Sequence, residues 1–127
     1  MRTVRARPLI AVAFALAIAT AALSLSGCAA TAPKTTPGIT GTITSLVPGD
    51  ERPASMLVEG PAQPAGAVSD KAQVAIDPGT MFFDADGKAT KASGAVVGAK
   101  VRVWFTGPVA ESYPVQGAAQ AVQILGK

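Results

Sequence analysis

The chain divides into two parts by its pattern of apolar and polar positions. Residues 9–27 form an apolar run that no charged residue interrupts, whereas from residue 38 onward apolar and polar residues alternate over short stretches bounded by Gly and Pro. Alternation with a period of two is typical of strands that bury one face. Because no stretch after residue 38 holds a helical period, this part of the chain predicts an all-β domain.

Six short stretches of this domain predict strands. They cover residues 38–47, 55–60, 71–77, 80–83, 99–107 and 118–125. Leu46 breaks the alternation of the first strand, and a glycine-associated bulge or a sharp bend would return it to the core. The segment 84–88, DADGK, predicts a turn, since Asp and Gly supply the backbone geometry of turns. The segment 91–98 predicts one helical turn or an irregular crossover.

The number and spacing of the strands predict a small barrel. Closure removes the exposed edges of a sheet, and a chain of this size buries enough surface for one small core. The main strands, with the longest irregular segment between the third and the fourth, fit a five- to six-stranded OB-like Greek-key barrel. A small β-sandwich is the alternative fold.

The most regular of the strands is AKVRVWFTG. Val101, Val103 and Phe105 point towards the predicted core, whereas Arg102 and Trp104 share the outer face. An Arg–Trp stack or a platform for a ligand is one interpretation of this pair, and a side chain half-covered by a loop is the other.

The apolar run near the N-terminus has the features of an export signal. It is preceded by Arg2, Arg5 and Arg7 and followed by small residues before Cys28, the only cysteine of the chain. A permanent transmembrane helix of about 20 residues is the alternative that the length of the run leaves open. The segment LSGC, residues 25–28, resembles the lipobox of bacterial prolipoproteins. That resemblance implies cleavage before Cys28 and a diacylglyceryl group on its thiol.

These features predict three parts: a lipoprotein signal peptide over 1–27, the lipidated Cys28 with a flexible linker over 28–37, and the barrel domain over 38–127. The linker is small, polar and punctuated by Pro, with no hydrophobic period. The protein is therefore expected to be exported and anchored by lipid in the bacterial cell membrane. In a cell with an outer membrane, the anchor would lie there and face the periplasm.

Removal of the leader would change the charge of the protein. The chain has 11 basic and 8 acidic residues, and three of the basic residues lie in the leader, so the mature part has equal numbers of both. The remaining basic residues are scattered and form no stripe. Binding of single-stranded nucleic acid requires several stacking aromatics in a basic groove. The sequence therefore argues against a nucleic-acid partner.

The residue types present exclude several kinds of catalysis. The chain has no histidine, which is the commonest general base at neutral pH and the commonest zinc ligand. If Cys28 is acylated, no thiolate is available as a nucleophile or ligand. The glycines follow turns rather than the spacings that cradle phosphates. No catalytic residue, metal site or cofactor is predicted.

Two chemical alternatives depend on carboxylates. A hydrolase requires two converging acids, and its candidates are Asp50, Glu51, Glu59, Asp77 and Glu111. A calcium site could use Asp84 and Asp86, although Lys88 and Lys91 follow them and the same segment is typical of a β-turn.

Two loops carry the main candidates for binding. In OB-type barrels the loop between strands one and two and the loop between strands four and five flank the usual ligand face. Here these loops are 48–54, with Arg52, and 107–117, with Glu111 and Tyr113. The candidate contacts, in order of preference, are Glu111, Tyr113, Arg52 and Trp104. The alternative is that Glu111 and Ser112 bond to the loop backbone while Tyr113 covers the barrel end.

The domain resembles the YobA-like family of small secreted or lipid-anchored bacterial proteins of unknown function. The resemblance spans roughly residues 38–125 and lies in GTITSL, SMLVEG, the glycine before VRVWFTG, and above all ESYPVQGAAQAVQIL. It implies an OB-like barrel behind an export signal and brings no catalytic residues. We therefore expect a membrane-anchored lipoprotein with a non-catalytic barrel that binds an envelope partner or a small ligand. The alternatives are a carboxylate-based envelope hydrolase and a cation-binding structural lipoprotein.

Overall fold

The computed structural model describes residues 30–127, so the predicted signal peptide and Cys28 lie outside the described residues. The described part contains one 3-10 turn, Ala92–Gly94, and seven strands. The strands are β1 (Ile39–Val47), β2 (Ser55–Glu59), β3 (Lys71–Ala75), β4 (Met81–Phe83), β5 (Ala89–Thr90), β6 (Lys100–Phe105) and β7 (Val115–Gly126). Within residues 30–127, no helix has the length and apolar character needed to cross a bilayer.

Five of the strands close into a barrel. Following the hydrogen bonds around the sheet, the order is β1, β2, β3, β7, β6 and back to β1. All neighbours are antiparallel except β3 and β7, which run parallel from Ala72 opposite Val115 to Ala75 opposite Ala118. The predicted OB-like Greek-key barrel is confirmed. The β-sandwich alternative is wrong, because one sheet closes on itself through the β3–β7 pairing.

The strand β7 pairs with β6 along one edge and is long enough to pair with two further strands along the other. Its first residues pair with β3, and Ala121 to Gln123 pair in parallel with β4. The hairpin of β4 and β5 therefore extends the sheet beyond the barrel. The sequence predicted a long irregular segment between the third and fourth barrel strands, and this hairpin and the 3-10 turn lie within it.

The barrel interior is lined by aliphatic side chains. The fully buried members include Ile39, Ile43, Met56, Val58, Val74, Val101, Val103 and Val122. In β1 the register with β2 shifts between Ile43 and Ser45, so that Thr44 is the extra residue of a bulge. Leu46 consequently packs against the core. A bulge was one of the two predicted irregularities, but it lies at Thr44 rather than at a glycine.

The described part of the predicted linker lies against the hairpin of β4 and β5. Thr31 forms a bridge with Lys88, and the N–H of Ala32 donates to the carbonyl oxygen of Gly87 at 2.9 Å. The N–H of Gly38, at the other end of the linker, donates to the carbonyl oxygen of Val103 at 2.8 Å. The chain is thus held to the outside of the barrel at both ends of this segment.

The linker also covers the single tryptophan. Trp104 lies on the outer face of β6 and packs with Phe83 and Ala121, while Ala32 packs against this cluster. Its Nε1 donates to the carbonyl oxygen of Thr35 at 3.0 Å. The side chain is only 6% exposed. The outer-face position was predicted, but Trp104 is part of a second small core rather than a half-covered residue or an open platform.

Candidate functional site

The four residues predicted to contact a ligand lie in three places. The hydroxyl of Tyr113 donates to Oδ1 of Asp70, just before β3, whereas Arg52 bonds to the carbonyl oxygen of Asp77, just after β3. At about 3.3 Å per residue, this stretch of chain spans roughly 20 Å. Trp104 lies elsewhere, beneath the linker. The loops 48–54 and 106–114 therefore lie at opposite ends of the β3 strand rather than around one pocket.

Tyr113 presents an open aromatic ring that its neighbours hold in place. Its side chain is 70% exposed, so it does not cover the end of the barrel. Besides the 3.1 Å hydrogen bond to Asp70, Nζ of Lys71 lies 5.9 Å from the ring centroid. Ser112 Oγ donates to the carbonyl oxygen of Pro114 at 2.8 Å, as expected of a loop serine. Glu111, in the same loop, is exposed.

A chain of polar contacts continues from Tyr113 across the outer face of the sheet. Nζ of Lys71 lies 3.5 Å from Oε1 of Glu59, and Oε2 of Glu59 accepts a 2.7 Å hydrogen bond from Thr44. Thr44, the extra residue of the β1 bulge, is thereby linked through Glu59 to the end of β2 and through Lys71 to the start of β3.

Amide side chains extend the same face towards the middle of the strands. Nε2 of Gln73 donates to Oγ of Ser55 at 3.1 Å, and the exposed Gln116 lies beside Gln73 in the parallel register. We call this surface the Tyr113 face, and it consists of Thr44, Ser55, Glu59, Asp70, Lys71, Gln73, Tyr113 and Gln116. It corresponds to the face of the second and third strands that OB-type barrels use for ligands.

Two groups on the Tyr113 face have shifted acidities. The hydrogen bond from Thr44, with a smaller contribution from Lys71, lowers the pKa of Glu59 below its ordinary value. The hydrogen bond to the Asp70 carboxylate raises the pKa of Tyr113 above its ordinary value. Around neutral pH the face therefore carries an ionised Glu59 and a neutral phenol that donates to Asp70.

Arg52 holds its loop to the rest of the barrel. Its Nη1 donates to the carbonyl oxygens of Asp77 at 3.1 Å and of Thr80 at 2.9 Å. Its guanidinium carbon lies 5.2 Å from the centroid of the Phe82 ring. Clefts flank the loop, and one of about 610 Å³ is lined partly by Arg52, Met81 and Phe82. These contacts give Arg52 a structural task at the end opposite Tyr113.

Among the acids proposed for a hydrolase, Asp50, Glu51 and Asp77 line one cleft beside the loop 48–54, whereas Glu111 does not meet them. Glu111 lies in the loop that Tyr113 joins to the start of β3, whereas Asp50 and Glu51 belong to the loop at the other end. All three are exposed. A carboxylate pair requires a separation below about 10 Å, so Glu111 cannot pair with either acid of the other loop.

The DADGK segment forms the predicted turn. Oδ1 of Asp84 accepts hydrogen bonds from the backbone N–H groups of Asp86, at 2.9 Å, and Lys88, at 3.0 Å. Oδ1 of Asp84 is thus engaged by the backbone of the turn itself. Among residues 30–127, no group of three or more acidic or thiol side chains is placed to hold a metal ion.

Sequence reasoning identified Tyr113 but missed most of the Tyr113 face. Glu59 entered only as a candidate acid, and Lys71 and Gln73 were not singled out. The available signal was the alternation of β2 and β3, which places these residues outward beside one another once the two strands are taken as partners. Gln116 needed the parallel pairing of β3 with β7, which leaves no local pattern in the sequence.

Comparison with protein-family models matches residues 61–126 to one family, described as "Protein of unknown function (DUF3221)". No curated protein matches the chain, and no solved structure matches it. The matched segment runs from the loop after β2 to the end of β7. It includes Asp70, Lys71, Gln73, Tyr113 and Gln116, five of the eight members of the Tyr113 face. Since the match covers more than half of the 127 residues, the chain belongs to this family of unknown function.

Proposed function

We propose that the protein is a lipid-anchored component of the bacterial cell envelope, with a barrel that binds an envelope partner or small ligand without transforming it. The anchoring half of the proposal is supported by the sequence. Three arginines, an uncharged apolar run and the LSGC segment ending at Cys28 occur in the order of a lipoprotein signal. The narrower likeness to the YobA-like family supports the same placement.

The binding half of the proposal is supported chiefly by the exposed ring of Tyr113. An aromatic ring with a polar tip suits recognition because it offers contact area at a low cost in conformational entropy. Here the hydroxyl is already held by Asp70 and Lys71 lies over one face of the ring. The ring is therefore ordered before a ligand arrives, which reduces the cost of binding.

The shape of the Tyr113 face favours an extended ligand. The ring stands at one end, and the amides of Gln73 and Gln116 lie further along the sheet. A strand of a polymer laid across β2, β3 and β7 would meet the ring, the ion pair and the amides in turn. Amide and hydroxyl groups bind the polar groups of such a strand by hydrogen bonds.

The placement of Glu111 supports a non-catalytic role. The chain has no histidine, and Glu111 lies at the other end of β3 from Asp50 and Glu51, so these acids do not form the pair that the hydrolase alternative requires. The cation-binding alternative is weakened by the use of Asp84 within its own turn.

In-cell photo-crosslinking tests the binding half directly. A photoreactive phenylalanine analogue would replace Tyr113 or Gln116 in the full-length chain, and Val97, which is 53% exposed in the segment before β6, would serve as the control position. We expect a discrete adduct from positions 113 and 116 that is absent from position 97. Identical products from all three positions, or products from position 97 alone, would contradict binding at the Tyr113 face.

A further inference from the structure

We infer that the barrel contacts an anionic lipid surface through the side that the linker crosses, so that the Tyr113 face points away from the lipid. We call the two sides the linker side and the ligand side. The linker side consists of the linker, residues 81–91 with β4 and β5, β6, and the end of β7 through Lys127. The ligand side consists of β2, β3 with its flanking residues 70 and 76–78, and the loops 48–54 and 106–114. The inference rests on the lipid anchoring proposed above.

The first observation is the short reach of the chain between Cys28 and the barrel. Thr31 is paired with Lys88, and only Ala29 and Ala30 separate Thr31 from Cys28. Three successive Cα–Cα steps of 3.8 Å span at most about 11 Å. A lipidated Cys28 would therefore hold the hairpin of β4 and β5 close to the head groups.

The second observation is the distribution of charge over the barrel. The mature chain has equal numbers of basic and acidic residues, but the fold separates them. On the linker side, six basic residues accompany two acidic ones, Asp84 and Asp86. The six are Lys34, Lys88, Lys91, Lys100, Arg102 and Lys127, and all are exposed.

The ligand side has the reverse balance. It carries two basic residues, Arg52 and Lys71, and six acidic ones: Asp50, Glu51, Glu59, Asp70, Asp77 and Glu111. Lys91 and Lys100 lie at the boundary, since they share clefts with Glu51 and Glu59 respectively. The centre of the basic surface is therefore formed by Lys34, Lys88 and Arg102.

The two observations point to the same orientation. The field of anionic lipids decays within a Debye length of about 10 Å, and the chain between Cys28 and Thr31 keeps Thr31, and the hairpin of β4 and β5 beside it, at about that distance from the lipidated residue. Basic residues there would be attracted, while the acids of the ligand side would be repelled from the same surface. The lipid supplies the affinity, and the charges select which side faces the bilayer.

This orientation determines from which side a ligand can reach the Tyr113 face. In the barrel order, β2 and β3 lie across from β6, so a barrel resting on its linker side exposes the Tyr113 face to the aqueous space. A ligand attached to the same lipid surface would be excluded from it. The structure therefore favours a ligand that is presented from the aqueous side.

Depth-dependent fluorescence quenching tests the orientation. The mature lipoprotein would be reconstituted in vesicles of phosphatidylglycerol and phosphatidylcholine that contain a quencher on the lipid head group. A fluorophore would be attached to Ala89→Cys or to Gln116→Cys, both at exposed positions on opposite sides. We expect several-fold stronger quenching at position 89 than at position 116, with a smaller difference at high salt. Equal quenching at the two positions would overturn the inference.

Two controls separate this inference from the anchoring on which it depends. The parent chain has no thiol other than that of Cys28, so labelling of the parent protein would show that Cys28 is not acylated and that the anchoring itself fails. Insertion of about ten Gly and Ser residues between Ala30 and Thr31 lengthens the reach by a flexible segment. This insertion should reduce the difference between positions 89 and 116, and an unchanged difference would contradict the role given to the short linker in orienting the barrel.

Discussion

At the scale of single residues, Trp104 shows what alternation can and cannot predict. The pattern of β6 placed Trp104 correctly on the outer face, opposite Val101 and Val103. It could not show that Phe83, Ala121 and the distant Ala32 would cover the ring. Those neighbours come from other strands and from the linker, so no local pattern records them. Burial of an outer-face residue is a tertiary property.

The buried Trp104 should therefore contribute strongly to stability. We expect Trp104→Ala to lower the free energy of unfolding by about 3 kcal/mol, the lower end of the range for buried aromatics truncated to Ala. Urea unfolding measures this loss. Lys100→Ala is the matched control, since Lys100 lies on the same face of the same strand but is exposed, and it should change stability by less than about 1 kcal/mol. Equal losses would show that the ring is not packed as described.

The single tyrosine of the chain makes its titration directly observable. Because Asp70 raises the pKa of Tyr113, the ultraviolet absorbance of tyrosinate should rise with a midpoint above the ordinary value of about 10. Asp70→Ala should lower that midpoint, whereas Asp50→Ala, at the other end of β3, should leave it unchanged. The folded pKa is the higher one, so the neutral phenol stabilises the fold below about pH 10 and this contribution is lost at higher pH. A midpoint insensitive to Asp70→Ala would contradict the hydrogen bond.

The acid side of the pH range should report on Glu59. Its pKa is lowered in the fold, chiefly by Thr44, so its contribution to stability is present above the ordinary carboxyl pKa and is lost as the pH falls through the folded pKa. Thr44→Val should move the pKa of Glu59 upward, as measured by NMR titration of the side-chain carboxyl carbon. Ser45→Val, the next residue in the bulge, is the control and should not. The same pKa in both variants would exclude the Thr44 contact.

At the scale of the elements, the strands were predictable and their partners were not. The alternation in β2, β3 and β6 and the interruption at Leu46 gave the correct strands and the bulge of β1. The two-residue β5 was missed, because both its residues are exposed and leave no alternation. The parallel pairing of β3 with β7 joins segments far apart in the chain, and it is this pairing that closes the barrel and positions Gln116.

The linker is the element whose role the structure defines best. A chain beginning at residue 38 would lack Ala32 and Thr35, which cover Trp104. We expect the tryptophan fluorescence of this truncated chain to shift to longer wavelength and its melting temperature to fall, relative to a chain beginning at residue 30. Thr36→Ala, an exposed linker position, should have neither effect. Identical spectra of the two chains would mean that the linker does not shield the ring.

At the scale of the whole molecule, the fold sorts charges and candidate residues that the sequence leaves mixed. In the sequence, equal numbers of acids and bases with no basic stripe argued against a nucleic-acid partner, yet the strand order places most bases on the linker side and most acids on the ligand side. The same order separates Arg52 from Tyr113, two residues expected to flank one ligand. The fold class could be predicted from the number and spacing of the strands. The separation of Arg52 from Tyr113 could not, because it results from the order of the strands in the barrel.

The central claim, a barrel that works at a lipid surface, depends most directly on the state of the mature N-terminus. Intact-mass spectrometry of the protein purified from membranes measures it. The expected result is a chain that begins at Cys28 and carries the added mass of a diacylglyceryl group, with or without a further acyl chain. A chain that retains Met1, or one that begins at an unmodified Cys28, would contradict the claim.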